Sequence, residues 1–247
     1  MKKYCQTQEV DMDIGRSCPY VRIKKKRTKI RDRILPSYTK GEEIFNMVTH
    51  IVGGAIGIAT LVLCVIKAAL SQNVIGIVCG SIFGLSMTAL YTVSSVYHGL
   101  RVGTAKKVLQ VLDHCTIYFL IAGTYTPMLL CALAEKHPVS AWITFGAVWG
   151  LTALSITLTA IDIAKYKVFG MISYIGMGWA IIFSIKHMYD AIGPVGFSLL
   201  LAGGVLYTGG VLFFKAGGKH RYFHSIFHIF VLLGSICHSL CVLFFAM

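Results

Sequence analysis

The sequence predicts an all-α polytopic membrane protein, a seven-transmembrane helix bundle with its N-terminus cytoplasmic and its C-terminus extracellular. Three observations predict it: composition, the length of the apolar runs, and the distribution of positive charge. Of 247 residues, 56% are apolar and only 13% charged, about half the charge of a typical soluble domain, and the mean hydropathy is +0.72. Runs of about 20 apolar residues can cross a hydrocarbon core of roughly 30 Å as helices. Seven are present, near 44–70, 73–99, 109–133, 139–161, 168–188, 194–214 and 222–246.

Residues 1–40 differ from the rest. They hold 12 of the 23 Lys and Arg residues, including the run from Lys24 to Arg33, and no apolar h-region follows a charged start as in a signal peptide. They read as a basic cytosolic tail, with 41–247 as the membrane domain. The tail suits anionic lipid headgroups or serves as a topology signal; with few aromatics to stack on bases it does not suit nucleic acid. Together with the loops near 100–108, 162–167 and 215–221 it places 20 cations on one side, against three (Lys67, Lys136, Lys186) on the other. The positive-inside rule puts the 20 in the cytoplasm, and the expected location is the plasma membrane.

Within the spans, small residues recur at every fourth position: Gly53 and Gly57; Gly76, Gly80 and Gly84; Gly146 and Gly150. Such faces let helices approach closely in lipid. Pro127 is expected to kink the third span by denying a hydrogen bond to the Gly123 carbonyl. Cys64, Cys79, Cys115, Cys131, Cys237 and Cys241 lie in spans without a CxxC pair and read as packing residues.

The polar residues out of place point to chemistry. Nine of the ten carboxylates lie in the tail, in loops or at span ends; Glu42 and Glu43 open the first span. Asp113 is the exception, one turn inside the third span, where an unpaired charge costs roughly 2.5 kcal/mol or more, so a partner is expected. The second span runs inward, which brings His98 and, one turn earlier, Ser94 to its cytoplasmic end. The third and seventh spans run outward from that side, so Asp113, His224 and His228 enter the same layer. His224 and His228 are four apart, hence on one helix face.

Three neutral imidazoles suit a zinc ion with an open fourth position. A zinc-activated water beside Asp113 as general base, with Ser94 steadying a ligand or a carbonyl, would form a hydrolytic centre. Histidines hydrogen-bonded across helices explain the same residues without a metal. His238 lies about 15 Å beyond His228 along the helix and reads as a structural hydrogen-bonding residue; His114 reads as supporting or packing. Asn46 and His50 share a stripe of the first span that can cap the polar layer.

These motifs carry a resemblance. GEEIFNMVTHIVGGAIG (41–57), SSVYHG (94–99), LDHCTIYFLIAGTYTP (112–127) and HSIFHIFVLLGSICH (224–238) are similar to the bacterial hemolysin III branch of the progestin and adipoQ receptor superfamily, over residue 41 to the end. The resemblance implies zinc near the cytoplasmic face on His98, His224 and His228, with Asp113 near the metal-bound water and Ser94 beside it. It further implies an intramembrane hydrolase of amide- or ester-linked lipids, ceramidase-like, with membrane lipids as substrate or ligand. A non-enzymatic sensor of membrane state and a pore-forming, cytolytic protein are the alternatives. A seven-span chain with an apolar exterior has no soluble form to deliver as a toxin.

Overall fold

The computed structural model describes residues 27–217 and 220–247, and every described element is helical. The tail's first 26 residues, with the run Lys24–Lys26, lie outside the described residues. The tail's remainder runs across one end of the bundle, where Arg27 Nε donates to Ile161 O (2.9 Å), Thr28 N to Asp162 Oδ2 (2.8 Å) and Lys107 Nζ to Arg31 O (2.5 Å).

Helix α1 (Lys40–Leu70) starts on a reciprocal cap, in which the Thr39 hydroxyl accepts from Glu42 N and Glu42 accepts from Thr39 N. Helix α2 (Val74–Gly99) starts on Asn73, whose side chain accepts from Gly76 N. Helix α3 (Thr104–Lys136) continues through Pro127 and absorbs it in π-helical turns over Met128–Leu133. His137 alone separates it from α4 (Pro138–Asp162). Then come α5 (Lys167–Gly178), a 3-10 turn (Ala180–Ser184) and α6 (Ile185–Ala216). Helix α7 (Phe223–Cys241) ends in π-helical turns over Val242–Ala246.

Six helical stretches are long and apolar enough to cross a membrane, among them Lys167–Ala216, whose 50 residues take in both the fifth and the sixth expected spans. The break expected between the spans near 168–188 and 194–214 is instead helical as far as Gly193. That residue adopts φ 70° and ψ 176° immediately before Pro194, a left-handed conformation that glycine tolerates best. A second interruption at Gly178 is sealed by Tyr125 of α3, whose hydroxyl donates to Gly178 O (3.1 Å) and accepts from Ile181 N (3.0 Å). Backbone groups freed by the break are thereby satisfied inside the bundle, as lipid requires. The exterior is apolar, with Ile51, Ile58, Phe183 and Leu212 among its exposed residues. The chain is a multi-pass membrane protein.

The glycines of α1 and α2 form the contact between those helices. A Cβ on Gly84 would lie 2.5 Å from Leu61 Cα, and one on Gly53 would lie 2.4 Å from the Tyr91 ring. Gly146 and Gly150, expected to pack in the same way, face outward with no neighbouring atom within 4 Å of a Cβ, because α4 presents that face to the periphery. Helix α7 is held by hydrogen bonds from Thr60 to Ser239 (3.2 Å), from Tyr91 to Ser235 (2.7 Å) and from Lys67 Nζ to Leu243 O (2.6 Å). Gly84→Ala is therefore expected to cost about 1–3 kcal/mol by overpacking, whereas Gly146→Ala stays within about 0.5 kcal/mol of the unaltered chain. Thermal unfolding of the two purified variants in detergent measures the difference, and equal midpoints would contradict the α1–α2 contact.

Candidate metal centre

Two helices deliver the three histidines to the end of the bundle where α1, α3 and α7 begin and α2 finishes. His98 sits in the last turn of α2, and His224 and His228 in the first two turns of α7. One nitrogen from each lies within 4.8 Å of the others, and the Nε2 atoms of His224 and His228 are 3.0 Å apart. All three side chains are buried, at 2%, 8% and 1% exposure. Nitrogens held about 2.0–2.1 Å from one tetrahedral ion stand roughly 3.3 Å apart, so the cluster has dimensions that a metal ion fits.

What lies behind His98 strengthens that fit. Glu43, in the first turn of α1, accepts from His98 Nδ1 through Oε2 (2.7 Å) and from Lys106 Nζ through Oε1 (2.6 Å). Lys106 also donates to Leu100 O (3.0 Å) and lies 5.1 Å from the centre of the Tyr97 ring. A carboxylate beside Nδ1 keeps the hydrogen there and leaves Nε2 as a lone pair. His98 Nε2 is buried, with no hydrogen-bond partner among the described residues. A carboxylate behind a histidine whose far nitrogen is free is the arrangement that orients metal ligands.

Aromatic rings close the centre from both sides. His50 of α1 stacks on His228 with centroids 3.8 Å apart. Both His50 nitrogens and both amide atoms of Asn46 are buried without partners among the described residues, so four polar atoms beside the cluster call for water or a ligand's polar group. Tyr38, at the end of the segment that crosses this face, stacks on His224 at 4.9 Å and lies 5.7 Å from His98. Burial first, then the Asp113, Glu43 and Glu42 carboxylates, push its phenol above the ordinary value, so it remains a protonated donor at neutral pH.

Of the residues singled out in the sequence, His98, His224 and His228 come together. Asp113 and Ser94 line a cavity that opens from the cluster, and neither belongs to the close set of nitrogen atoms. The partner expected for Asp113 is not found: among the described residues no ion pair includes its carboxylate, and the carboxylate that pairs with a site histidine is Glu43. The physical reason is depth, since the first turn of α1 lies level with the last turn of α2. Glu43 shares a helix face with Asn46 and His50, three and then four residues apart, but Glu42 does so equally at intervals of four, so spacing alone does not single it out. His114 donates from Nδ1 to Gln110 O of its own helix (2.8 Å), and His238 hydrogen-bonds Leu200 O through Nε2 (3.1 Å), as a structural residue would. The cavity has a volume of about 170 Å³ and runs from Asp113 and His228 past Leu120 and Ile182 to Tyr207 and His238, with mostly apolar walls.

Residues 38–239 match the family described as Haemolysin-III related. The chain belongs to this haemolysin-III-related family. It is 38% identical over 206 residues to "Hemolysin-3" of Bacillus cereus, covering 83% of this chain and 92% of that one. It is 37% identical over 208 residues to "Hemolysin-3 homolog" of Bacillus subtilis (strain 168), covering 84% and 96%. A human relative, "Monocyte to macrophage differentiation factor", is 31% identical over 164 residues, covering 64% of this chain and 66% of that one. That relative is a member of the progestin and adipoQ receptor family, which is consistent with the superfamily resemblance of the motifs.

The role of Glu43 can be measured apart from any activity. Glu43→Gln keeps the shape of the side chain but weakens its hold on His98 Nδ1–H, and a loss of about 10–100-fold in metal affinity is expected. His228→Ala is expected to purify without metal. Competition against a chelator, read by elemental analysis, checks both; unchanged affinity in Glu43→Gln would remove Glu43 from the centre.

Proposed function

We propose that this haemolysin-III-related protein is a zinc-dependent intramembrane hydrolase of amide- or ester-linked lipids, of the ceramidase type. The observation that carries the reading is a cavity, lined by His224 and His228 of the histidine cluster and by Asp113, a carboxylate with no ion pair among the described residues, that continues along a mostly apolar wall. Reactive groups stand at one end and room for an acyl chain at the other. An all-imidazole donor set, one member backed by a carboxylate, favours zinc over magnesium or calcium, which prefer oxygen ligands.

His98, through Nε2, His224 and His228 would hold the ion. A bound zinc ion supplies Lewis acidity that lowers the pKa of water toward about 7 and polarises a carbonyl. The chain's own groups do the rest. Asp113 accepts the proton of the attacking water at a carboxylate oxygen and passes it to the departing amine or alcohol. The Ser94 hydroxyl donates to the acyl oxygen as negative charge develops there. Tyr38 covers the end of the bundle and limits the entry of water, while Glu43 keeps His98 in the tautomer that leaves Nε2 free. The acyl chain enters sideways from the bilayer and lies along the apolar wall.

In this reading the cluster lies near the cytoplasmic face of the plasma membrane, with the N-terminus inside and the C-terminus outside. Gly193 then divides Lys167–Ala216 into two crossings, for seven in all. As one straight helix those 50 residues would run about 75 Å, more than twice the hydrocarbon thickness. The basic tail meets anionic lipid headgroups of the inner leaflet, not nucleic acid. The bacterial relatives' name suggests lysis, but a pore needs a water-filled polar conduit, and this cavity is walled mainly by apolar side chains.

Asp113→Asn keeps size and polarity while removing the proton acceptor. It is expected to lower turnover at least 100-fold with metal content unchanged. Mass spectrometry of a panel of ceramides, lysolipids and diacyl lipids incubated with protein in nanodiscs reads this. Turnover by Asp113→Asn at the unaltered rate would remove Asp113 from the reaction. Turnover of no lipid by the unaltered, metal-loaded protein would favour a non-enzymatic sensor, and dye leakage from liposomes without lipid breakdown a pore.

A further inference from the structure

Away from the histidine layer, the wall of the cavity holds a buried nitrogen with no partner among the described residues. His238, only 7% exposed, lines the cavity. Its Nε2 bonds to Leu200 O at 3.1 Å. A carbonyl only accepts, so the neutral ring carries its hydrogen on Nε2 and a bare lone pair on Nδ1. That Nδ1 is buried and has no hydrogen-bond partner among the described residues. Nearby donors are engaged elsewhere: Tyr207 OH with Ser235 Oγ (2.8 Å), Tyr91 OH with the same oxygen (2.7 Å), and Trp179 Nε1 with Thr208 Oγ1 (3.0 Å).

The ring is held in one orientation. A Cβ on Gly203 would lie 2.3 Å from both Cδ2 and Nε2 of His238, so α6 accepts this edge of the ring only because residue 203 is glycine. Tyr207 stands edge-on to the ring at 5.2 Å. With the Cδ2–Nε2 edge against α6, Nδ1 lies on the edge turned away from that helix. Ten residues of α7 separate His238 from His228, or about 15 Å.

We infer that His238 Nδ1 accepts a hydrogen bond from a hydroxyl on the cavity's occupant, and that the ligand class is an acyl lipid hydroxylated in mid-chain. The inference rests on the reading of the cavity as an acyl-chain site. Helix depth sets the position: about 15 Å from the histidine layer corresponds to the twelfth carbon of an extended acyl chain. A trapped water fits less well, because buried waters usually make about three hydrogen bonds and the other polar groups here are already engaged. A hydroxyl anchored by its own chain needs only one acceptor.

The test is equilibrium binding, which depends on neither zinc nor turnover. Purified protein in nanodiscs is loaded with a fluorescent fatty acid. This is displaced by stearate, by stearate hydroxylated at the twelfth carbon, or by stearate hydroxylated at the second carbon. The twelfth-carbon hydroxyl is expected to bind about tenfold tighter than stearate, since filling a buried orphan acceptor is worth roughly that factor, and the second-carbon hydroxyl is expected to bring no gain. His238→Phe should erase the difference between stearate and its twelfth-carbon hydroxylated form, whatever affinity it leaves for stearate itself. If that variant fails to fold, the comparison of the three lipids on the unaltered protein still decides. Equal affinity for all three overturns the inference about His238 while leaving the acyl-chain reading intact; displacement by none overturns both.

Discussion

The carboxylate of Glu43 carries the interaction on which the rest of the centre depends. It bridges His98 of α2 and Lys106 of α3 at 2.7 and 2.6 Å, so one side chain of α1 holds two neighbouring helices at a single depth. Lys106 is 3% exposed, and an ammonium group buried without its carboxylate costs several kcal/mol. The position of α3 is thus coupled to that of His98. Glu42, the adjacent residue, acts in another direction: it closes the cap on Thr39 and accepts from Tyr222 N at 2.7 Å, which anchors the start of α7. Two consecutive carboxylates therefore gather the ends of α2, α3 and α7 around the start of α1, and the convergence of three histidines follows.

Convergence at one end also requires close packing along the length. Gly84 lets α2 approach the backbone of α1 at Leu61, and Gly53 provides the seat for the Tyr91 ring. Tyr91 then reaches across to Ser235 of α7, whose hydroxyl also meets Tyr207 of α6. In lipid, where apolar contact alone gives helices little reason to associate, small residues and buried hydroxyls supply the attraction. The outward-facing glycines of α4 show that the spacing is only permissive: the same interval of four lies at a tight interface in α2 and at the periphery in α4.

That contrast marks how far a sequence can be read. His98, His224 and His228 could be brought together from helix direction and depth, because rise per residue and alternation of direction determine the layer at which a side chain enters. Glu43 could not be told from Glu42 in the same way, since both read as first-turn acids complementing the helix dipole; one residue of rotation, about 100°, separates a cap from a histidine partner. Tyr38 lies in an irregular segment with no periodicity to place it over His224. The interruption between the fifth and sixth expected spans was legible in Gly193 and Pro194. Its form was not, because a single glycine at φ 70° reorients the chain without the loop that a sequence suggests.

Glu43 and Asp113, both at this end of the bundle, differ in what they already touch. Glu43 has both oxygens committed, to His98 and to Lys106, and taking up a proton there would release one or the other and disturb the cluster it supports. Asp113 is half-buried, lines the cavity, and forms no ion pair among the described residues. An intramembrane carboxylate left without a partner is costly to insert, and packing gives no return for that cost, since an apolar residue would fill the same wall. The group is free to meet what enters the cavity, whereas Glu43 is free only to hold. A residue's role here is set by what its oxygens already touch: Glu43 is committed to its two partners, whereas Asp113 faces the cavity with no ion pair among the described residues.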